Sequence, residues 1–379
     1  MLGVIRDKMK VLMQNRVDAF SAPGGDTIQM KKTKEFLEKL ELSVDISLDL
    51  EPNLDKYDLV HLFNVTRVHE TYLQYINARR QNKPIALSTI YSDYNELDTK
   101  ATYGIKGVIL KRFNKDNREK IKCIYRTIMD FRQLKAMWKQ LTMGFIEQQK
   151  SVIMGADIIL PNSYMELEKI KEKYEEIKDF EIVPNAVDLI FTKRDDSFVE
   201  KFGVKDYILC VANYIVRKNQ YDLIKAIQDT EIPLIMIGSV ANTHIGYYRR
   251  LKQMCDQNKG KMFLLDKTTQ EELVSIYWGA KTIVLPSWGE TTGLSCLEGA
   301  LADCNVVITN RGYTKEYFLD MAYYCDPSDI SSIRDAVLKA YNAPLNPKLK
   351  EHILKNYTWD KAAASTLKAY QRILKNKNE

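Results

Sequence analysis

Short apolar runs separated by helix-length amphipathic stretches recur from end to end of this chain, and that rhythm restricts its fold more than any other feature. In the first half, Lys10-Val11-Leu12-Met13-Gln14, 44–48, 57–63 and 85–89 read as strands. Helical patterns fall between them, the first running to about Leu40 and another over 67–81. Continuous Val/Ile/Leu runs suit strands buried on both faces, and their alternation with helices argues a doubly wound, mostly parallel sheet. Helix 141–154, a strand from Asp157 and a charged helix over 164–178 continue the series, and the segment 189–206 reads as polar and irregular. The second half restarts the pattern: strands at 207–212, 234–238, 262–265, 281–285, 306–309 and 322–325, with helices at 220–227, 247–257 and 270–279 between them. At 379 residues, two such halves predict two domains, with a boundary just after the Pro184-Asn185 turn and a ligand in the cleft between them.

The stretch Leu285-Pro286-Ser287-Trp288-Gly289-Glu290-Thr291-Thr292-Gly293-Leu294 carries the clearest chemistry. A strand, a small-residue loop and a helix beginning near Thr292 or Gly293 make an anion site. The first-turn N–H groups lack intrahelical partners there, and the macrodipole favours negative charge. Glu290 and Glu298 bracket the site, spanning roughly 12 Å of helical rise at ~1.5 Å per residue, about the length of a sugar–diphosphate–ribose unit. A solvated pair of glutamates at an ordinary helix start is the alternative, and spacing alone leaves both open. In the loop after strand 207–212, Arg217 and Lys218 stand side by side. Cations at a helix start oppose its dipole, which favours a phosphate-binding role for them. Gly24-Gly25, between the first strand and helix, would let backbone approach a ligand closely, although the pattern is not GxGxxG.

Other features narrow the class. No apolar run is long enough to cross a membrane, and the N-terminus lacks the core of a secretory leader, which predicts a cytoplasmic protein. Six cysteines without paired spacing predict reduced thiols, and histidines at 61, 69, 244 and 352 are too scattered for a metal site. The acidic run Asp45, Asp49 and Glu51 reads as strand-end and loop carboxylates. Net charge is 56 − 50 = +6, but 106–139 alone holds eleven Lys/Arg against three Asp/Glu, interleaved with aromatic and aliphatic residues. That composition suits an anionic membrane surface; the alternative is that its apolar residues are core and its charges solvated. No nucleic-acid recognition motif accompanies it.

Taken together, these residues resemble family 4 of the glycosyltransferases. The likeness rests on Pro286-Ser287, on Glu290-x7-Glu298-Gly299-Ala300-Leu301-Ala302 and on Val183-Pro184-Asn185-Ala186-Val187-Asp188. Lys218, Gly24-Gly25 and the closing Tyr357-Thr358-Trp359 with its terminal helix complete it. The resemblance implies the GT-B fold, an α/β architecture of two Rossmann-like domains facing a central cleft. The domains would be 1–188 on the acceptor side and 189–359 for the nucleotide sugar, with helix 360–376 crossing back onto the first. It implies retaining, metal-independent sugar transfer from a UDP- or GDP-sugar to a glycan or glycolipid in cell-surface polysaccharide assembly, with no cofactor.

On that resemblance, Glu290 meets the donor sugar and Glu298 the ribose. Thr291, Thr292, Gly293 and Leu294 offer backbone N–H groups, and Lys218 meets the phosphates. Three departures stand out. Asn213 occupies the position of the family's usual arginine, with Arg217 as the candidate replacement. Asp303 replaces a closing glycine, and Tyr91-Ser92-Asp93 stands where a His-Asp pair is usual. A catalytically silent partner subunit and a sugar-nucleotide epimerase are the alternative readings.

Overall fold

The computed structural model describes residues 8–92, 96–97, 113–174, 176–177, 179–240 and 244–378. The chain forms two compact units. One comprises the residues up to Tyr91 together with 112–185 and Trp359 onward; the other is built on 186–358.

The first unit holds a five-stranded, wholly parallel sheet in the order β2-β1-β3-β4-β5. Its strands are β1 (Lys10–Gln14), β2 (Ser43–Ser47), β3 (Leu59–Phe63), β4 (Ile85–Ser88) and β5 (Ile158–Ile159). Helices α1 (Gly25–Lys39), α2 (Val68–Arg80), α3 (Lys115–Met129), α4 (Leu134–Met143), α5 (Phe145–Gly155) and α6 (Tyr164–Lys173) join or flank them. Every residue of β3 and β4 is buried, as expected of strands covered on both faces.

The helix read over 141–154 is two helices, α4 and α5, broken at Gly144 with φ +92. The cause is distant in sequence: Asp116 accepts from the N–H groups of Phe145 and Ile146, at 2.6 and 3.2 Å, and so caps a new helix start. The helix read to 178 ends at Lys173.

The second unit holds a six-stranded parallel sheet in the order β11-β10-β9-β6-β7-β8. In chain order it contains α7 (Ser197–Phe202), β6 (Tyr207–Val211), α8 (Gln220–Ile227), β7 (Leu234–Gly238), α9 (Ile245–Gln257), β8 (Met262–Asp266), α10 (Gln270–Gly279), β9 (Ala280–Leu285), α11 (Leu294–Leu301), β10 (Asn305–Thr309), α12 (Thr314–Phe318), β11 (Tyr323–Cys325), α13 (Ile330–Asn342) and α14 (Pro347–Asn356). The stretch 189–206, read as irregular, contains α7 and a 3₁₀ turn whose Phe191 is buried against Tyr277. One apolar cluster lies on each face of this sheet. Strand order reverses between β6 and β9, because the chain leaves β6 toward β7 and β8 and returns on the other side as β9. In open parallel sheets that reversal opens a crevice at the strands' carboxyl ends.

The last helix, α15 (Trp359–Asn378), returns to the first unit and packs on α1. Trp359, Ala362, Ala369, Tyr370 and Ile373 are its buried face. Tyr370 OH hydrogen-bonds His61 Nδ1 at 2.6 Å, and His61 Nε2 pairs with Ser88 Oγ at 2.8 Å, tying the helix to β3 and β4. Burial lowers the His61 pKa to about 3, so the ring is neutral, with one nitrogen donating and the other accepting. On the same helix Arg372 reaches Asp179 at 2.8 Å and Lys368 reaches Glu181 at 2.9 Å.

All six cysteines are buried free thiols. Asp45 is engaged by Lys56 and Tyr57, an ordinary strand-edge carboxylate.

Tyr370→Phe deletes the partner of a buried ring nitrogen while conserving shape. It is expected to lower stability by about 1–3 kcal/mol, read as a drop in the urea midpoint. An unchanged midpoint would show that the His61 contact does not anchor α15.

Candidate functional site

At the β6/β9 reversal three charged side chains of the second unit meet. The loop after β6 turns through a short 3₁₀ segment, Val216–Lys218, and Asn219 takes a left-handed conformation (φ 57) before α8. Its backbone is tied to the loop after β9, since Trp288 N donates to Arg217 O at 2.8 Å. The two loops therefore present their side chains together. Lys218 Nζ lies 2.5 Å and Arg217 Nη1 3.2 Å from Glu290 Oε1, and Arg217 also donates to Gly289 O at 2.9 Å. Burial pushes the Glu290 carboxyl up, but Lys218 and then Arg217 outweigh it and hold it below the usual range. Burial lowers the Lys218 pKa despite Glu290. Two half-buried cations thus meet on one buried carboxylate.

Glu290 is also held by the loop after β10. Its N–H donates to Arg311 O, its C=O accepts from Tyr313 N at 3.0 Å, and Glu290 pairs with Gly312 as a parallel bridge. Gly312 has φ +92, and a Cβ there would sit 1.9 Å from the Glu290 carbonyl oxygen. Only glycine fits. Nothing in the sequence reading pointed to this loop, because its role lies in backbone contact with a residue more than twenty positions earlier.

Gly293, with φ +86, is the N-cap of α11 and supplies no side-chain cap. The first-turn N–H groups of Leu294 and Ser295 face out of the helix start with no intrahelical acceptor to reach. Thr291 and Thr292 connect this turn to Glu290. In the same loop the buried Trp288 Nε1 and Thr292 Oγ1 have no hydrogen-bond partner among the described residues. Buried indole and hydroxyl groups are nearly always paired, so both mark a place for a missing partner. Trp288 is a site residue that the motif did not single out. The signal was there: an indole donor inside a loop of small residues.

Glu298 lies one helical turn and a half further on. Tyr277 OH, from α10, donates to Glu298 Oε2 at 2.6 Å. Burial raises the Glu298 pKa to about 7; Tyr277 opposes the rise, and the charge of Asp188 adds to it. Asp188 is the last residue of the Val183-Pro184-Asn185-Ala186-Val187-Asp188 stretch. Asn213, in the position expected for arginine, accepts from Ser239 Oγ at 2.7 Å, while Arg217 is the guanidinium that reaches Glu290.

Gly24 and Gly25 belong to the first unit, where Gly24 is the N-cap of α1. A Cβ on Gly24 would meet Asp26 Oδ1 at 2.8 Å, beside the buried Arg16–Asp26 ion pair at 2.9 Å. The residues that the structure brings together are thus Arg217, Lys218 and Glu290, with Thr291, Thr292, Gly293 and Leu294 alongside. Asp93 lies outside the described residues, as does 106–112 of the basic region. Among the described residues no group of three or more His, Cys, Asp or Glu gathers as a metal site.

Residues 192–359 match the family model described as Glycosyl transferases group 1. Over 198 residues, 49% of this chain, the sequence is 23% identical to the serotype-specific mannosyltransferase WbdA of Escherichia coli. The match spans 24% of that protein, so the chain covers about a quarter of the length of the curated relatives it matches. Among solved structures it resembles sucrose-phosphate synthase from Thermosynechococcus elongatus, with TM-score 0.75, 12% identity, and 97% of this chain and 100% of that one covered. It also resembles HepE of Anabaena in complex with UDP, with TM-score 0.69, 11% identity, and 96% and 100% covered. HepE in complex with UDP-glucose gives TM-score 0.69 at 12% identity, over 95% and 100%. The fold is that of the GT-B glycosyltransferases.

Glu298 makes a pH prediction. Its folded pKa exceeds its ordinary value, so the fold holds a proton that the unfolded chain releases. Stability from this group is present below about pH 4.5 and is lost as pH rises through about 7. Glu298→Gln, which cannot titrate, is expected to match wild type near pH 5 and to be more stable near pH 8.5, by about 3 kcal/mol at most. Parallel pH profiles of the two melting temperatures would contradict the assignment.

Proposed function

We propose that this chain is a retaining glycosyltransferase that moves a sugar from a nucleoside-diphosphate donor to a glycan or lipid-linked acceptor. The observation that carries the reading is the pair of cations, Lys218 and Arg217, gathered on Glu290 at the β6/β9 reversal, next to the N-terminus of α11. Such a site calls for an anion with several oxygens, and a diphosphate is the fitting class. The mannosyltransferase relative and the UDP complexes of HepE support the same class. The donor is a UDP- or GDP-sugar, and the product enters cell-surface polysaccharide. The acceptor is a glycan or glycolipid presented at the inner face of the membrane, with the enzyme in the cytoplasm.

Breaking the anomeric C–O bond leaves both electrons on the departing diphosphate oxygen and positive charge on the sugar. Lys218, Arg217 and the helix N–H groups stabilise the first charge, fixed in place before reaction in a site that water leaves. The Glu290 carboxylate, ionised and rigidly held, accepts from the sugar's hydroxyls and faces the second. Trp288 Nε1 and Thr292 Oγ1 find their missing acceptors on the donor. The ribose hydroxyls go to Glu298. The diphosphate charge is met by side chains and backbone, so no divalent metal enters this reading.

One feature favours a second reading, a silent GT-B partner subunit: Asn213, satisfied by Ser239, stands where arginine is usual. Turnover separates the two. A screen of sugar nucleotides by mass spectrometry, reading nucleotide release with and without acceptor, is expected to find one preferred donor. With that donor, Glu290→Gln should lower kcat by ~100-fold or more while the protein stays folded, and Lys218→Met should raise KM and lower kcat together. Unchanged turnover in both variants would sink the site assignment, and an isomerised free sugar nucleotide would identify an epimerase instead.

A further inference from the structure

Helix α3 is folded inside out. Its buried positions are Arg118, Cys123 and Thr127, and Arg126 is drawn half into the protein beside Glu119 and Arg67. Its large apolar side chains point the other way. Ile121, Tyr125 and Ile128 recur at i, i+4 and i+7 on the exposed face, and Met129, Phe131 and Trp138 extend it over the following turn and α4. Ile128 is 62% exposed, Phe131 74% and Trp138 60%. Amphipathic helices turn such a stripe to the core; here it faces outward on consecutive elements, so it is a surface built to be covered.

Charge identifies the cover. Residues 106–139 hold eleven Lys/Arg and three Asp/Glu, a net 11 − 3 = +8 against +6 for the whole chain, so the remainder is −2. The acids of the described part are spent on neighbours: Asp116 on Lys120 and the start of α5, Glu119 on Lys122, and Asp130 on Arg132. A second copy of this chain docking through the same face about a two-fold axis would set two basic segments against each other, each with eight Lys/Arg against three Asp/Glu over 113–139. Nucleic acid would satisfy the charge and leave Ile128 and Met129 in water. A bilayer with anionic headgroups satisfies both at once: aliphatic and aromatic side chains enter the headgroup–acyl boundary while lysines and arginines stay at the phosphates. Phe, Tyr and Trp beside Lys and Arg is the side-chain mixture of that interface.

We propose that the outward face of α3, the turn through Phe131 and α4 form a docking surface for an anionic lipid bilayer. The proposal goes beyond the transferase reading and does not depend on it, because its test needs no turnover. Full-length protein is sedimented with phosphatidylcholine vesicles, and with vesicles in which phosphatidylglycerol replaces part of the phosphatidylcholine. Wild type should partition onto the anionic vesicles at low salt and be largely released by high salt, since exposed charge is screened. The variant I128E/F131E/W138E changes only exposed side chains and is checked by its melting temperature. It should lose at least about tenfold in partition. Failure of wild type to bind anionic vesicles would overturn the proposal. So would equal binding by the folded triple variant, or a wild-type dimer in solution that the triple substitution dissociates.

Discussion

Three charged side chains meet where β6 and β9 part, and the local structure of the second unit is arranged to hold them. Removing one partner of a buried ion pair typically costs ~3–5 kcal/mol, while an apolar replacement for the whole group is often neutral or better. A Lys218–Glu290–Arg217 cluster with its carboxylate buried is therefore a poor device for stability alone. The chain nevertheless invests backbone in it: the Trp288–Arg217 hydrogen bond locks two loops, and Gly312 adopts φ +92 to pass beneath Glu290. The cluster sets two cations on one carboxylate and adjoins indole and hydroxyl groups that have no hydrogen-bond partner among the described residues. Those features cost stability in the protein alone, and under the proposed function an anionic, hydroxyl-rich donor would offset them.

The first unit uses its buried polar groups differently. His61, Tyr370 and Ser88 form a closed set in which each buried nitrogen of the ring has a partner, and the neutral ring needs no counterion. It joins the end of the chain to the centre of the first sheet. A closed network fixes one arrangement; under the proposed function the cluster around Glu290 is completed by the donor.

The strand–helix rhythm was legible in the sequence because both faces of each sheet are covered, so strands appear as uninterrupted apolar runs. Boundaries failed where distant contacts decide them. Gly144 splits a continuous helical pattern because Asp116, twenty-eight residues earlier, caps the new start. Phe191 and α7 occupy a stretch whose polarity suggested irregular chain. Composition marked 106–139 as basic residues interleaved with apolar ones but could not say which of them look inward; burial of Arg118 and Thr127 in α3 answers that. At the site, the motif and its neighbouring cations named Glu290, Lys218 and Arg217. It could not name Gly312, whose part is steric, nor assign Glu298 a raised pKa, which needs Tyr277 and Asp188 in three dimensions.

Isothermal titration of UDP and GDP into wild type and Lys218→Met tests the claim that the β6/β9 crevice is built for a nucleoside diphosphate. One nucleotide should bind wild type saturably, and loss of the lysine should weaken it by about tenfold or more. No binding of either nucleotide to folded wild type, or equal affinity in the variant, would contradict it.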